Sequence, residues 1–282
     1  MNKLNISSPL VSIEWLHANL HHSDLVILDG TIPKVDSPDM PEAFQRRDIP
    51  GTRFFDLKKV FRDTESDLSN TMPSPEKFAL EAGKLGIGND SVIIVYDHWG
   101  IYSSARVWWM FRSMGHTNVA VLDGGFPAWE KAGHPTVPSE KYHGPERSFI
   151  ANPQPGFIIG ADEVLKTISQ KDKTILDARS EGRFYARVPE PREDMRSGHI
   201  PGSISLHYAK LVKDGMLIPA EELKTVFGEL ADEGKPVVFS CGSGITACIL
   251  ALGASVANRD NLSVYDGSWS EWGSREDLPI EV

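Results

Sequence analysis

The sequence predicts an α/β protein made of two copies of one domain, each a mainly parallel sheet flanked by helices. Three observations carry this. Matching phrases recur in the same order in the two halves of the 282-residue chain. Short β-branched runs alternate with longer amphipathic stretches, the pattern of strands joined by crossover helices. A proline- and glycine-rich segment without apolar periodicity separates the halves.

In the first copy Ile27-Leu28-Asp29-Gly30 is followed by Asp48-Ile49-Pro50-Gly51, then VIIVYDHWG from Val92 and VLDGGFPAW from Val121. In the second, Ile175-Leu176-Asp177-Ala178 is followed by His199-Ile200-Pro201-Gly202, then VVFSCGSG from Val237 and VYDGSWSEW from Val264. The offsets are 148, 151, 145 and 143 residues. Agreement of order and spacing over four phrases implies a duplication. Residues 1–137 form the first domain, 138–156 (PSEKYHGPERSFIANPQPG) an extended surface linker, and 157–282 the second domain. Within the second copy TILDA, PVVFS and LSVYD read as strands, and ADEVLKTISQ and EELKTVFGEL as amphipathic helices. Functional loops then belong at the carboxyl ends of the strands.

Composition excludes several classes. With 40% hydrophobic and 24% charged residues, and no run of about eighteen apolar ones, the chain reads as a soluble globular protein. The start, MNKLNISSPLVSIEW, lacks the unbroken apolar core of a secretory signal, so the compartment is read as cytoplasmic. The two cysteines, seven residues apart, make neither a disulfide framework nor a zinc site; a reduced thiol and no metal are expected. A net charge of −10 argues against nucleic acid or an anionic membrane as partner.

One of those cysteines, Cys241, ends an apolar strand in VVFSCGSGITAC, where the first copy carries Asp97. The reactive species of a cysteine is the thiolate, so a catalytic one needs a local positive potential. Gly242, Ser243 and Gly244 allow successive backbone N–H groups to turn inward, and the helix starting near Ala247 adds the partial charge of its N-terminal amides. Together they form a nest around the sulfur. Taken alone, a buried strand-end cysteine reads as packing; the flanking nest favours catalysis. Cys248, in an apolar segment, reads as core.

Two rival chemistries fit less well. Gly242-x-Gly244-x-x-Ala247 with Asp266 downstream matches a dinucleotide fingerprint, but only sixteen residues follow Asp266. The first copy also keeps the aspartate, as Asp123, after losing the glycines. A cysteine phosphatase needs an arginine about six residues after its nucleophile; positions 247 and 248 are Ala and Cys.

On these residues the chain resembles tandem-domain sulfurtransferases of the rhodanese superfamily, most closely their 3-mercaptopyruvate branch. The resemblance runs from LVILDG to YDGSWSEWGSREDLP, and the loop C-G-S-G-I-T is its most specific element, since thiosulfate-using members typically carry basic residues there. It implies two rhodanese domains, with the active site in the cleft between them and catalytic Cys241 in the second. It also implies that Arg183, in EGRFYARVPEPR, and Arg192, at the end of that stretch, bind the substrate carboxylate and carbonyl. A guanidinium grips a carboxylate through two parallel hydrogen bonds, which lysine cannot match; Arg179, Arg187 and Arg196 crowd the same region. Gly242, Gly244, Ile245 and Thr246 are implied to contact substrate, and Tyr102 to line the cleft from the first domain, where packing is the other reading.

The implied reaction moves the sulfur of 3-mercaptopyruvate onto Cys241 as a persulfide and then to thioredoxin, another thiol, or cyanide in an assay, without a cofactor. Thiosulfate as donor, or a non-catalytic sulfur carrier or scaffold, are the alternatives. In some members a serine at the place of Ser243 is aligned with a histidine and an aspartate of the first domain. Here Asp48 replaces the histidine of the first-copy H-I-P-G pattern, so Asp36 or Asp39 has no histidine to orient. Ser243 is left to donate to the substrate carbonyl or to serve as a small loop residue. His199 reads as a structural turn residue, and the SWSEWG and VWWM tryptophans as packing.

Overall fold

The computed structural model describes residues 4–34 and 45–282; Asp36 and Asp39 lie outside them. The chain divides into two compact units. One comprises residues 1–64, 72–154 and 214–217; the other comprises 65–71, 155–213 and 218–282. Each unit has thus taken a short segment from the opposite half of the sequence.

The first unit contains β1 (Leu10–Val11), α1 (Ile13–Asn19), β2 (Leu25–Asp29), β3 (Arg47–Asp48), β4 (Thr52–Phe54), α2 (Pro75–Lys84), β5 (Val92–Tyr96), α3 (Ser104–Ser113), β6 (Val119–Leu122), α4 (Gly125–Lys131) and β7 (Val137–Pro138). Five strands form a sheet in the order β1-β6-β5-β2-β4, every pair parallel. All of β5 is buried, which is why VIIVY is a continuous apolar run rather than an alternating one. On one face α1 and α4 contribute Ile13, Leu16, Phe126 and Trp129 to a core with Ile27 and Ile94. Aromatic rings from other parts of the unit, Phe55, Phe61, Phe78, Phe111 and Phe149, pack together in a second cluster.

Phe149 belongs to the segment expected to be a linker. That segment is extended, yet it is strapped down: Arg147 N donates to the Gly83 carbonyl at 3.0 Å, Asn152 N to Met114 at 2.9 Å and Gln154 N to Ser113 at 2.7 Å.

The second unit holds β8 (Ile158–Ile159), α5 (Ala161–Gln170), β9 (Thr174–Asp177), α6 (Glu181–Phe184), β10 (Ile204–Ser205) and β11 (Val212–Lys213). After β12 (Met216–Leu217), which clusters with the first unit, it continues with α7 (Ala220–Leu230), β13 (Val237–Ser240), α8 (Ala247–Val256), β14 (Leu262–Tyr265) and α9 (Ser268–Trp272). Its sheet runs β10-β9-β13-β14-β8, again all parallel. Read from the opposite edge, this is the order of the first sheet, strand for strand. The register makes the match exact to the residue: Tyr96 pairs with Asp29 as Ser240 pairs with Asp177, so Asp97 and Cys241 occupy the same strand end.

The helix α8 is buried through Ala254, matching its almost unbroken apolar sequence. Trp269 and Trp272 are fully buried in a core with Val164, Ile175, Val238 and Tyr265, and Trp108 and Trp109 are buried in the first unit, as their packing role requires.

Candidate functional site

Cys241 is the first residue beyond β13 and is 1% exposed. The start of α9 fixes its backbone. Cys241 N donates to Ser268 Oγ at 3.2 Å, and Ser268 Oγ donates to the Tyr265 carbonyl at 2.8 Å, standing 3.9 Å from Sγ. The carbonyls of Cys241 and Gly242 accept from Trp269 N at 2.9 Å and Ser270 N at 2.8 Å, and Ser270 Oγ adds a bond of 2.6 Å to Gly242. Both carbonyls are therefore satisfied. The amides of Gly242, Ser243, Ile245 and Thr246, in contrast, have no protein acceptor among the described residues. Gly244, with φ of 77°, is in the left-handed region that permits the tight reversal.

The matching loop of the first unit is filled. There the buried Asp97 carboxylate accepts from Trp99 N, Tyr102 N and Ser104 N, each at 2.8 Å. Gly100, at φ of 100°, makes the equivalent turn. The same backbone architecture thus binds an anion that the chain itself supplies. In the second unit a smaller side chain, the thiol, leaves amides available.

Arg183, on α6, lies beside this loop: a β-carbon on Gly242 would stand 3.3 Å from its Nη2. Its guanidinium is held from behind by Glu190, with Nε 3.2 Å from both carboxylate oxygens and Nη2 2.5 Å from Oε2. Glu190 also accepts from Arg179 Nη1 at 2.9 Å, and Arg179 pairs with Asp177 at 2.8 Å while lying 4.1 Å over the Trp269 ring. Two carboxylates balance two guanidiniums. In this network only the Arg183 side chain, 25% exposed, reaches solvent; the other three are at 1% or less.

Arg192 is placed elsewhere, on an exposed turn with Nη2 2.6 Å from Asp194, and none of its contacts reaches the Cys241 loop. Arg187 lies over the Tyr185 ring, and Arg196 ties down carbonyls of the C-terminal segment. Ile245 is buried, its carbonyl taken by Cys248 N, and Thr246 stands at the N-terminal end of α8 without a side-chain capping bond. Cys248 is buried, with Sγ 3.3 Å from the Gly244 carbonyl. His199 stacks on Phe184 at 3.9 Å, with Nδ1 3.0 Å from the Phe184 carbonyl, and so supports the helix that carries Arg183. Tyr102 is buried in the first unit's matching loop, under the Lys34 ammonium.

Asp48 is buried in the first unit, accepting from Tyr96 Oη at 3.0 Å with His98 Nε2 at 3.6 Å. Burial disfavours its charged form, but the polar groups of His98, Ser139 and Tyr96 beside it outweigh this and hold the carboxyl below its usual range. With Asp29, Asp48 and His98 form the one metal-competent grouping among the described residues. A cation there would meet the Arg46 guanidinium, already 2.6 Å from Asp29 Oδ2, so the residues do not favour a metal.

The group that does meet Ser243 is Asn70, with Nδ2 3.0 Å from Oγ. Sequence reasoning missed it, as it missed Glu190 and Ser268.

The model of the rhodanese-like domain matches the chain twice, over residues 12–132 and 160–275. The chain belongs to the rhodanese family. Among relatives of this rhodanese, the mitochondrial thiosulfate/3-mercaptopyruvate sulfurtransferase 1 of Arabidopsis thaliana is 40% identical over 303 residues, covering 99% of this chain and 80% of that one. The 3-mercaptopyruvate sulfurtransferase of Escherichia coli strain K12 is 35% identical over 274 residues, covering 96% and 97%. The crystal structure of SseA from Escherichia coli, described as a 3-mercaptopyruvate sulfotransferase, superposes with a TM-score of 0.84 at 31% identity, over 93% of this rhodanese and 99% of that chain. Among the described residues no helix is long and apolar enough to cross a membrane.

Proposed function

We propose that this protein is a sulfurtransferase that takes sulfur from 3-mercaptopyruvate through a persulfide on Cys241. The observation that carries the reading is the contrast between matched loops: Asp97 fills one amide nest with a carboxylate, whereas the nest after Cys241 keeps donors for an anionic sulfur.

The Cys241 thiolate attacks the substrate sulfur, forming an S–S bond while the C–S bond breaks. The electron pair of that bond leaves as the enolate of pyruvate, and water protonates its carbon. Cys241 then carries an outer sulfur that the loop amides stabilise. A thiolate acceptor, such as reduced thioredoxin, or cyanide attacks that outer sulfur and regenerates the Cys241 thiolate. No step needs a cofactor.

Arg183, with Nη1 uncommitted to Glu190, is the first ligand of the substrate carboxylate. Arg192 is the second, exchanging the exposed Asp194 for substrate at small cost. Gly242 and Gly244 let substrate approach the backbone, and Ile245 and Thr246 are assigned to the walls. A loop without basic side chains suits an α-keto acid monoanion better than the thiosulfate dianion. Two free cysteines fit a reducing, cytoplasmic setting. Steady-state rates on both donors test the assignment: a higher kcat/KM for 3-mercaptopyruvate supports it, and a higher value for thiosulfate reverses it.

A further inference from the structure

Ser243 lies in the loop with its hydroxyl held by one side chain, which comes from the other half of the sequence. Asn70 belongs to the short segment, residues 65–71, that clusters with the second unit. Its Nδ2 is 3.0 Å from Ser243 Oγ and 3.5 Å from the Ser243 carbonyl oxygen. A carbonyl only accepts, so the end of the amide facing both atoms is the NH2 group, and the bond runs from Asn70 to Oγ. No other described group bonds to that hydroxyl. Asn70 is itself buried, and its φ of 68° is in the left-handed region that Asn and Asp tolerate better than other side-chain-bearing residues. Backbone and burial together fix the amide's aim.

We propose that Asn70 is a positioning residue that sets the direction of the Ser243 hydroxyl. Because Asn70 supplies a proton to Oγ, the serine's own hydrogen remains a donor for the substrate oxygen that gains charge as the C–S bond breaks. This rests on the sulfurtransferase reading above. The first-half group behind Ser243 is thus a carboxamide, which neither gains nor loses a proton in the working range, in place of a histidine–aspartate relay. Ser243 acts as a neutral hydrogen-bond donor. The charged side chain beside the loop is Arg183, backed by Glu190, while Glu65 and Asp67 on the Asn70 segment are exposed and Glu271 of α9 pairs with Arg275.

The decisive variant is Asn70→Asp, which suits the same backbone but, ionised, can only accept and so draws the serine proton to itself. Single-turnover formation of the Cys241 persulfide from 3-mercaptopyruvate, read by intact mass, first establishes that the wild type reacts. Asn70→Asp and Ser243→Ala should then each slow turnover by about 10- to 100-fold in kcat, with KM within about twofold. The double variant should be no slower than Ser243→Ala alone. Lowering the pH toward the carboxyl value of about 4 should restore rate to Asn70→Asp relative to Ser243→Ala. Asn70→Gly, which also accepts a positive φ, should lose rate without that recovery and keeps the test open if the aspartate variant misfolds. Full rate in Asn70→Asp or Asn70→Gly, or additive losses in the double variant, would overturn the proposal while leaving the persulfide chemistry intact. No persulfide in the wild type would instead overturn the reading on which it rests.

Discussion

Glu190 grips Arg183 by Nε and Nη2 and leaves Nη1 open, while its Oε1 also takes Arg179. One buried carboxylate therefore holds two guanidiniums, and removing its charge leaves Arg183 without a counter-ion and Arg179 with Asp177 alone. Glu190→Gln should destabilise the protein by about 3–5 kcal/mol, the cost of breaking a buried ion pair. It should also raise KM for the keto-acid donor, because Arg183 loses its backing. Urea unfolding and steady-state kinetics check both, and an unchanged stability would mean the network is not a structural unit.

The filled nest of the first unit gives a second test. Asp97→Ala removes the acceptor of three amides, each costing about 1–3 kcal/mol when buried and unpaired. Asp97→Asn keeps one accepting oxygen and should lose less. Equal stability of the two variants in urea would show that the amides do not depend on the carboxylate.

At Gly244 the backbone angle itself is the constraint. A β-carbon at φ of 77° costs about 1–2 kcal/mol, so Gly244→Ala should lower stability by that amount and slow persulfide formation by distorting the loop. Gly242→Ala keeps an ordinary backbone but puts a methyl 3.3 Å from Arg183 Nη2, so its defect should appear in KM. A pair of variants with identical kinetics would contradict this division.

His116 is packed against Phe111 and Phe149, and burial pushes its imidazole below the ordinary histidine range. The unfolded chain then binds the proton more readily than the folded one. The stability is complete above the unfolded value, about 6.5, and falls as pH drops below it. His116→Phe should flatten unfolding free energy between about pH 6.5 and 5; an unchanged slope there would assign the acid sensitivity elsewhere.

What could be read in the sequence was whatever is local in the chain. Buried parallel strands leave continuous apolar runs such as VIIVY and VVFS, and the loop after Cys241 is contiguous, so the duplication, the sheets and the nucleophile were legible. Asn70 and Glu190 were not. Asn70 meets Ser243 across 173 positions, and nothing in LSNTMP marks a ligand of a distant serine. Glu190 sits among the arginines of RVPEPR, where a carboxylate reads as a solvated charge until the fold buries it. The same limit applies to Asp48, whose pattern position showed only that the relay histidine is replaced, and not that Tyr96 and His98 would be its neighbours within the first unit. Phe149, one aromatic in a polar run, has no period that could reveal the strap it anchors.

The central claim is that Cys241 carries the transferred sulfur. Intact-mass analysis after brief exposure to 3-mercaptopyruvate without acceptor should show one added sulfur atom, mapped to the Cys241 peptide, absent in Cys241→Ser and lost on adding cyanide. An unmodified wild-type protein, or a sulfur that stays on Cys248 when Cys241 is serine, would contradict it.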